Sequence, residues 1–435
     1  MLSQQWFWYT ATNNWNSVCH AGCAVAALAV KEREPALSAA VIELVHENLG
    51  RVAESYGPDG AYDEGPMYWD YGTTFLALLC SAMETAGGTP FDPKVPGLMA
   101  SADYMAHIVA PSGRFYNYSD CRLERSPTPT LFWFARKLGR PSVAGIERAR
   151  YGNRESIHQA VDKPAHEGER LLALGLIWQQ PAGDSLESCP TLWVGGGRTP
   201  VALMRTAWTP EAAFLGIKGG SPSASHGHMD VGSFVYENAG VRWAIDLPLQ
   251  EYHGLEAAGL NLWSNEQASD RWRVFRLGPE GHGILRIDDK PQAVSGAAPL
   301  TLLDHAHAIG SVAIDLTSIY PELQRVERIA TLNHDGSLEI IDRWQGNESP
   351  HELTWQMLTT AAVELHNGGF DLAQSGKRLR IEFRQPGDQL ALRVDAADSL
   401  TSAFDAANPG VSRLSVRLKI PTNHAGELRT RLFLA

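Results

Sequence analysis

The chain has 435 residues, 44% of them hydrophobic, enough for two or three domains with substantial cores. Its formal net charge of −12, with no basic stripe, excludes a nucleic-acid binder and admits an acidic ligand only where arginines gather locally. No apolar run has membrane-spanning length, so no membrane partner is expected. Met1–Thr10 lack a basic n-region before an apolar stretch, so no signal peptide is expected either.

Residues 1 to about 180 read as helical. Asn13-Asn14-Trp15-Asn16 opens the first clear helix, whose apolar pattern continues over Gly22–Lys31. Capping explains one asparagine, and a second amide there could hold a substrate carboxylate. Cys19 and Cys23 lie four apart on that pattern, and burial is the simpler reading than a metal pair. With Cys80, Cys121 and Cys189 they are too scattered for a disulfide framework. Pro35 precedes a helix marked by Leu37, Val41, Leu44, Val45 and Leu49. Gly65-Pro66 should open the next, over Tyr68–Thr85, with Tyr68 and Tyr71 three apart on one face near its N-terminus. Two phenols there could line a packing seam, or one could serve as a base whose ionised form the helix end favours. Further helical patterns cover Leu98–Val109, Thr130–Leu138 and Glu167–Trp178, as expected of stacked antiparallel hairpins.

After Pro190 the pattern becomes short strands between Gly/Asn/Asp turns. They run from Val201–Ala207, Phe214–Lys218, Ser233–Glu237 and Arg242–Asp246 through Gly283–Ile287, Val312–Leu316 and Arg325–Thr331. Leu338–Arg343, Leu353–Met357, Arg378–Phe383, Leu390–Val394 and Leu414–Ile420 follow. Gly195-Gly196-Gly197 reads as a turn, since no helix follows it. The fold class is therefore α+β multidomain, with a helical domain over 1–185 and an antiparallel β-sandwich over 186–435. His226 and His228, read as two apart on an extended strand, would point to one face. Asp246 ends a neighbouring apolar run and His282 enters at a strand edge. His228, Asp246 and His282 would make a zinc-type N/N/O site, leaving His226 for chemistry. In a rival reading His228-Met229-Asp230 and a distant histidine imitate the two-histidine, one-carboxylate iron site of an oxygenase. Thirteen tryptophans and twelve tyrosines suit sugar stacking as well as a large core.

Three segments in order, Asn13 to Gly22, Glu64-Gly65-Pro66-Met67-Tyr68-Trp69-Asp70-Tyr71-Gly72, and His226-Gly227-His228-Met229-Asp230, resemble motifs of the heparinase II/III polysaccharide lyases and their alginate-lyase relatives. Arg271-Trp272-Arg273-Val274-Phe275 and the stretch from Gly281 to Asp288 resemble the same family. The resemblance implies an incomplete (α/α) toroid, here short, followed by antiparallel sheets, and β-elimination on a uronic-acid polysaccharide. By position, Asn14 would neutralise the uronate carboxylate. Tyr68 or Tyr71 would take the C5 proton or protonate the leaving O4, and His226 would be the second acid–base group. His228, Asp246 and His282 would hold one structural zinc. Trp15, Glu64, Arg114, Asn117, Tyr118, Tyr252, Trp263 and Arg271 would contact sugar, with Tyr116 and Asp120 in the same polar-aromatic loop. The resemblance further implies an acidic poly- or oligosaccharide partner, a periplasmic or secreted setting, and completion of the cleft by a homodimer as one option. A non-catalytic carbohydrate-binding relative is the alternative within the same fold. His282-Gly283 departs from the His-Asn-Thr common in relatives, and the Asn-Asn-Trp-Asn motif lies much nearer the start of the chain.

Overall fold

A computed structural model describes residues 6–88, 90–152, 171–179, 189–385 and 390–435. The chain divides into two compact units. One comprises Met1–His107 and Arg125–Cys189, the other Ile108–Glu124 and Pro190–Ala435. The loop expected to belong wholly to the helical part, around Asn117 and Asp120, thus belongs to the sheet unit. The boundary expected at 185/186 lies outside the described residues, as do residues 167–170 of the expected helix Glu167–Trp178.

In the first unit, α1 (Asn14–Ala29) opens at the Asn-Asn-Trp-Asn tract as expected, with Asn13 as its cap: its side chain accepts from the Trp15 N–H at 3.2 Å. Pro35 opens α2 (Pro35–Asn48) and Pro66 opens α3 (Pro66–Gly87), each in the first turn, where a missing N–H costs nothing. α3 ends on Gly88 in the left-handed region. α4 (Ser101–Ile108) and α5 (Thr130–Leu138) match their expected positions, and α5 carries Arg136 and Lys137 in its last turn, favourable to its dipole. α6 (Gly145–Gly152) was not anticipated, and α7 (Leu174–Trp178) is a short remnant of the last expected helix. α3 lies directly against the start of α1. A Cβ at Gly72 would sit 3.1 Å from that of Asn14, so glycine makes this close approach easy and a larger residue would push on Asn14. Trp69 of α3, fully buried, stacks on Phe134 of α5 at 5.9 Å.

The second unit is built from antiparallel sheets. A five-stranded meander contains β1 (Leu192–Gly195), β2 (Val201–Arg205), β3 (Phe214–Lys218), β4 (Phe234–Asn238) and β5 (Val241–Ala244) in sequence order. Gly195 ends β1, and Gly196 and Gly197 begin the turn into β2. α8 (Tyr252–Ala257) follows, then β6 (Leu285–Ile287), β7 (Leu300–Leu303), β8 (Ala308–Asp315), β9 (Arg325–Asn333), β10 (Leu338–Gln345) and β11 (His351–Thr359). The chain closes with β12 (Ala362–His366), β13 (Gly369–Gln374), β14 (Lys377–Arg384), β15 (Ala391–Ala396), β16 (Ser412–Ile420) and β17 (Ala425–Leu434). Eight of these pair in the order β12-β13-β14-β17-β10-β9-β8-β7, and four in the order β15-β16-β11-β6. Leu215, Phe234, Trp243, Ile340, Trp355 and Leu432, drawn from all three sheets, belong to one apolar core. β2 to β5 are buried along their whole length, including the charged Arg205, Lys218, Glu237 and Arg242, whereas β9 alternates.

Arg328 of β9 has an unusual post inside this core. Fully buried, it donates to both oxygens of Asp342 on β10 (2.7 and 3.1 Å) and to the carbonyls of Gly232 (2.7 Å) and Gly283 (3.2 Å). Those glycines end the two loops that carry His228 and His282.

Candidate functional site

In the helical unit the Asn-Asn-Trp-Asn cluster divides its labour. Asn13 is the cap. Asn14 is buried: its backbone N–H donates to Glu64 Oε2 at 3.3 Å, and its Oδ1 has no hydrogen-bond partner among the described residues. Glu64 is fully buried as well and also accepts from the Tyr62 hydroxyl at 3.3 Å, so it braces Asn14 from within the protein. Trp15 is exposed, its ring edge-on to Phe7 at 5.8 Å. Tyr68 and Tyr71 are both half-buried in the first turns of α3, and Tyr71 packs edge-on against Phe75. Between them Asp70 has its carboxyl pushed up to about 7, by burial first and then by the neighbouring charge of Glu147.

In the sheet unit the two histidines are not on a strand. They occupy the loop from β3 to β4, with His226 in the left-handed region at φ 55°. Such a backbone costs on the order of 1 kcal/mol or more in a non-glycine residue and persists only where surroundings enforce it. A Cβ at Gly227 would lie 2.5 Å from the Pro222 carbonyl, which is why glycine separates the two imidazoles. They converge through Asp120. Its Oδ2 accepts from His226 Nδ1 (2.9 Å), the Tyr252 hydroxyl (2.8 Å) and Arg271 Nη2 (2.8 Å), and its Oδ1 from His228 Nε2 (2.9 Å). The Asp120 N–H also donates to the His226 carbonyl at 3.1 Å, gripping the strained residue from both sides.

Asp120 is fully buried, which alone would push its carboxyl up. The Arg271 guanidinium, then the bonds from His226 and His228, nevertheless hold it well below the usual carboxylate range. A carboxylate has no proton to give, so both imidazoles donate to it. That sets the tautomer: His226 exchanges protons at Nε2, and His228 presents Nδ1. Tyr252 lies 3.1 Å from His226 Nδ1 through its hydroxyl, and Trp263, 57% exposed, packs edge-on to Tyr252 at 4.9 Å and to His226 at 6.0 Å. The exposed indole thus stands beside an imidazole whose orientation Asp120 fixes.

Behind this dyad, His228, Asp230 and His282, all buried, each offer one ligand atom within 4.8 Å of the others. Asp246 stands one step out: its Oδ1 accepts from His282 Nδ1 at 2.8 Å. The ion pair with Lys218 engages Asp230 Oδ1. Asp230 Oδ2, His282 Nε2 and Asp246 Oδ2 have no hydrogen-bond partner among the described residues. Burial lowers His228 and leaves it neutral. Burial also pulls on His282, but Asp246 and then Asp230 raise it above the ordinary imidazole value.

The remaining expected sugar contacts are differently used. Arg271 is buried, binding Asp120 and the Gly227 carbonyl (3.0 Å), so it sets the histidine loop instead of facing solvent. Asn117 is buried, donating to the carbonyls of Asp246 (3.2 Å) and Leu247 (3.1 Å). Tyr118 is buried with the Lys218 ammonium 5.6 Å from its ring centre. Arg114 is exposed and takes no part in the Asp120 network. Asp120, the hub, had only a place in the polar-aromatic loop to recommend it.

No family model and no curated protein matches the chain. Solved structures do. Heparinase III aligns with a TM-score of 0.69 at 13% identity, over 97% of this chain and 61% of that one. A mutant of heparan sulfate lyase HepC from Pedobacter heparinus gives 0.65 at 15%, over 95% and 59%. A point mutant of chondroitin AC lyase from Streptomyces coelicolor A3 gives 0.50 at 14%, over 98% and 61%. The chain spans about three fifths of the length of the structures it matches. Its fold is that of the heparinase-like polysaccharide lyases.

Proposed function

We propose that the chain is a polysaccharide lyase acting on a uronic-acid polymer by β-elimination. The observation that carries this reading is His226 on the ionised Asp120, beside the exposed Trp263. In this reading the helical unit is part of an (α/α) toroid and the sheet unit a β-sandwich. The C5–H bond breaks, its electrons form the C4=C5 double bond, and the C4–O4 bond leaves with a proton delivered to O4. A carboxylate next to C5 acidifies that proton only if the developing enolate charge is neutralised, which is the role of Asn14. Tyr71, with Tyr68 as its alternative, exchanges the C5 and O4 protons, and His226 assists. Trp263 stacks on a sugar ring, and Tyr252 holds His226 in place. The test is release of products absorbing in the ultraviolet as unsaturated uronates from heparan sulfate, chondroitin, alginate and bacterial uronans. Tyr68→Phe and Tyr71→Phe are assayed alongside. Activity on at least one polymer is expected, with the base variant lowered roughly 100-fold or more; no absorbance rise on any polymer sinks the reading and leaves a binding protein.

We further propose one structural zinc held by His228, Asp230 and His282. The support is the unpartnered Oδ2 of Asp230 and Nε2 of His282, together with Asp120 and Asp246 bonded to the far nitrogens of the two imidazoles, as outer carboxylates of zinc sites are. When bound, the ion would fix the histidine loop. The same donor set is that of an iron oxygenase, and one observation weighs against it: all three residues are buried, whereas such iron sites keep open positions. Elemental analysis should find about one zinc per chain, lost in Asp230→Ala and bound roughly 10- to 100-fold more weakly in Asp246→Ala. Iron in its place, or retention of zinc by Asp230→Ala, would overturn the assignment.

A further inference from the structure

The sheet unit contains a cavity of about 480 Å³ whose walls include none of His226, Tyr252 and Trp263. Three guanidiniums reach it, from Arg114, Arg242 and Arg276. Arg242 is neutralised by Glu237 at 2.6 Å. The other two are not. Arg276 spends its donors on the carbonyls of Pro248 (3.2 Å) and Ala407 (2.9 Å) and on Asn408 Oδ1 (3.0 Å), which are uncharged. The exposed side chain of Arg114 makes no hydrogen bond or ion pair among the described residues. In a chain of net charge −12, Arg114 and Arg276 share this wall with one carboxylate, Asp246, whose Oδ1 is taken by His282, while Asp405 and Asp398 act on Arg276 from nearby; that leaves Arg114 as the cation open to a ligand.

The polar atoms in these walls are also unspent. Asn408, 2% exposed, has an Nδ2 with no partner, and Gln374 has an Oε1 with none. Burying a donor and an acceptor unpaired is costly unless a ligand or water completes them. Leu123, Leu247 and Val411 supply apolar wall between them. An oxyanion for the arginines, hydroxyls for the amides and a C–H face for the aliphatic wall are together the features of an acidic sugar. The volume falls within the range of small-molecule pockets, roughly 300–1,000 Å³.

We propose that this cavity is a binding site for a single acidic sugar residue, carboxylated or sulfated, with Arg114 as its anion contact. The site stands on the sheet unit alone and does not depend on the lyase reading. Because Asp246 is in its wall with Oδ1 on His282, the cavity and the histidine cluster share one residue.

Calorimetric titration with glucuronate, glucose 6-sulfate and glucose tests it on the intact chain. At least one acid should bind and glucose should not; comparison of the two acids identifies carboxylate or sulfate as the preferred anion. Arg114→Ala, at an exposed position where folding is safe, should weaken that binding roughly tenfold, the effect of losing one charge-assisted hydrogen bond. His226→Ala should leave it unchanged. Binding lost in His226→Ala but kept in Arg114→Ala would transfer the sugar to the histidine site and overturn the proposal, as would equal binding of glucose or no binding of either acid.

Discussion

Asp120→Asn is expected to lower kcat for unsaturated-uronate release by roughly 100- to 10,000-fold with little change in KM. The change is nearly isosteric, so packing is kept. What is lost is the charge that fixes the imidazole tautomer. Among the described residues Asp120 accepts from the side chains of His226, His228, Tyr252 and Arg271. An asparagine amide must turn its NH2 toward some of them, and the oxygen facing Arg271 and Tyr252 is the same one that faces His226. Keeping its oxygen there turns the NH2 toward His228 Nε2, so His228 loses its acceptor, and His226 loses the negative charge that stabilises its imidazolium. A KM-dominated effect, or a loss of less than about threefold, would show that Asp120 does not position the acid–base group. Asp120 acts through His226, so His226→Ala combined with Asp120→Asn should be scarcely worse than His226→Ala alone.

Arg328→Met should destabilise the protein by about 3–5 kcal/mol, the cost of leaving one partner of a buried ion pair alone. Asp342 would remain fully buried without its cation. Its carboxyl is already raised by burial against the opposing pull of Arg328, and removing the guanidinium raises it further. An acid whose folded pKa lies above its unfolded value loses stability as pH rises from the unfolded pKa toward the folded one. The variant should therefore melt closest to the parent near pH 4 and fall furthest behind at neutral pH. Arg328→Met with Asp342→Leu should recover most of the stability, because a packed apolar pair replaces a buried ionic one at little cost. If the proposed zinc is bound, its affinity should not be restored, since the carbonyls of Gly232 and Gly283 would still lack the donor that ties both histidine loops to β9. Thermal melts across pH and metal analysis of both variants decide this.

The helical half was legible because its signals are local. Asn13 as cap, Pro35 and Pro66 as first-turn residues and Gly88 as terminator act within four residues of where they stand in the chain. Strand recognition did well at β3, a short apolar run, and at β11, where Leu353, Trp355 and Met357 alternate with polar residues; it missed β1, β7, β12, β13 and β17. The motif histidines stand out in the sequence, but the cause of their convergence does not. Strand alternation was expected to bring His226 and His228 to one face, and a turn with positive φ, closed by Asp120, does it instead.

By itself the sequence determined the division into helical and antiparallel-sheet chemistry, the starts of the helices and the residue types available for catalysis, because propensity, capping and periodicity act over a few residues. Only the tertiary structure decided who serves whom. Asp120 lies 106 residues from His226, Arg271 lies 151 from Asp120, and Asp246 lies 36 from His282, distances over which no spacing rule operates. That Asp230, and not Asp246, comes within 4.8 Å of donor atoms on both His228 and His282 depended likewise on how the loops fold. Buried polar groups must be satisfied in three dimensions, and that accounting can be closed only when the loops have been brought together.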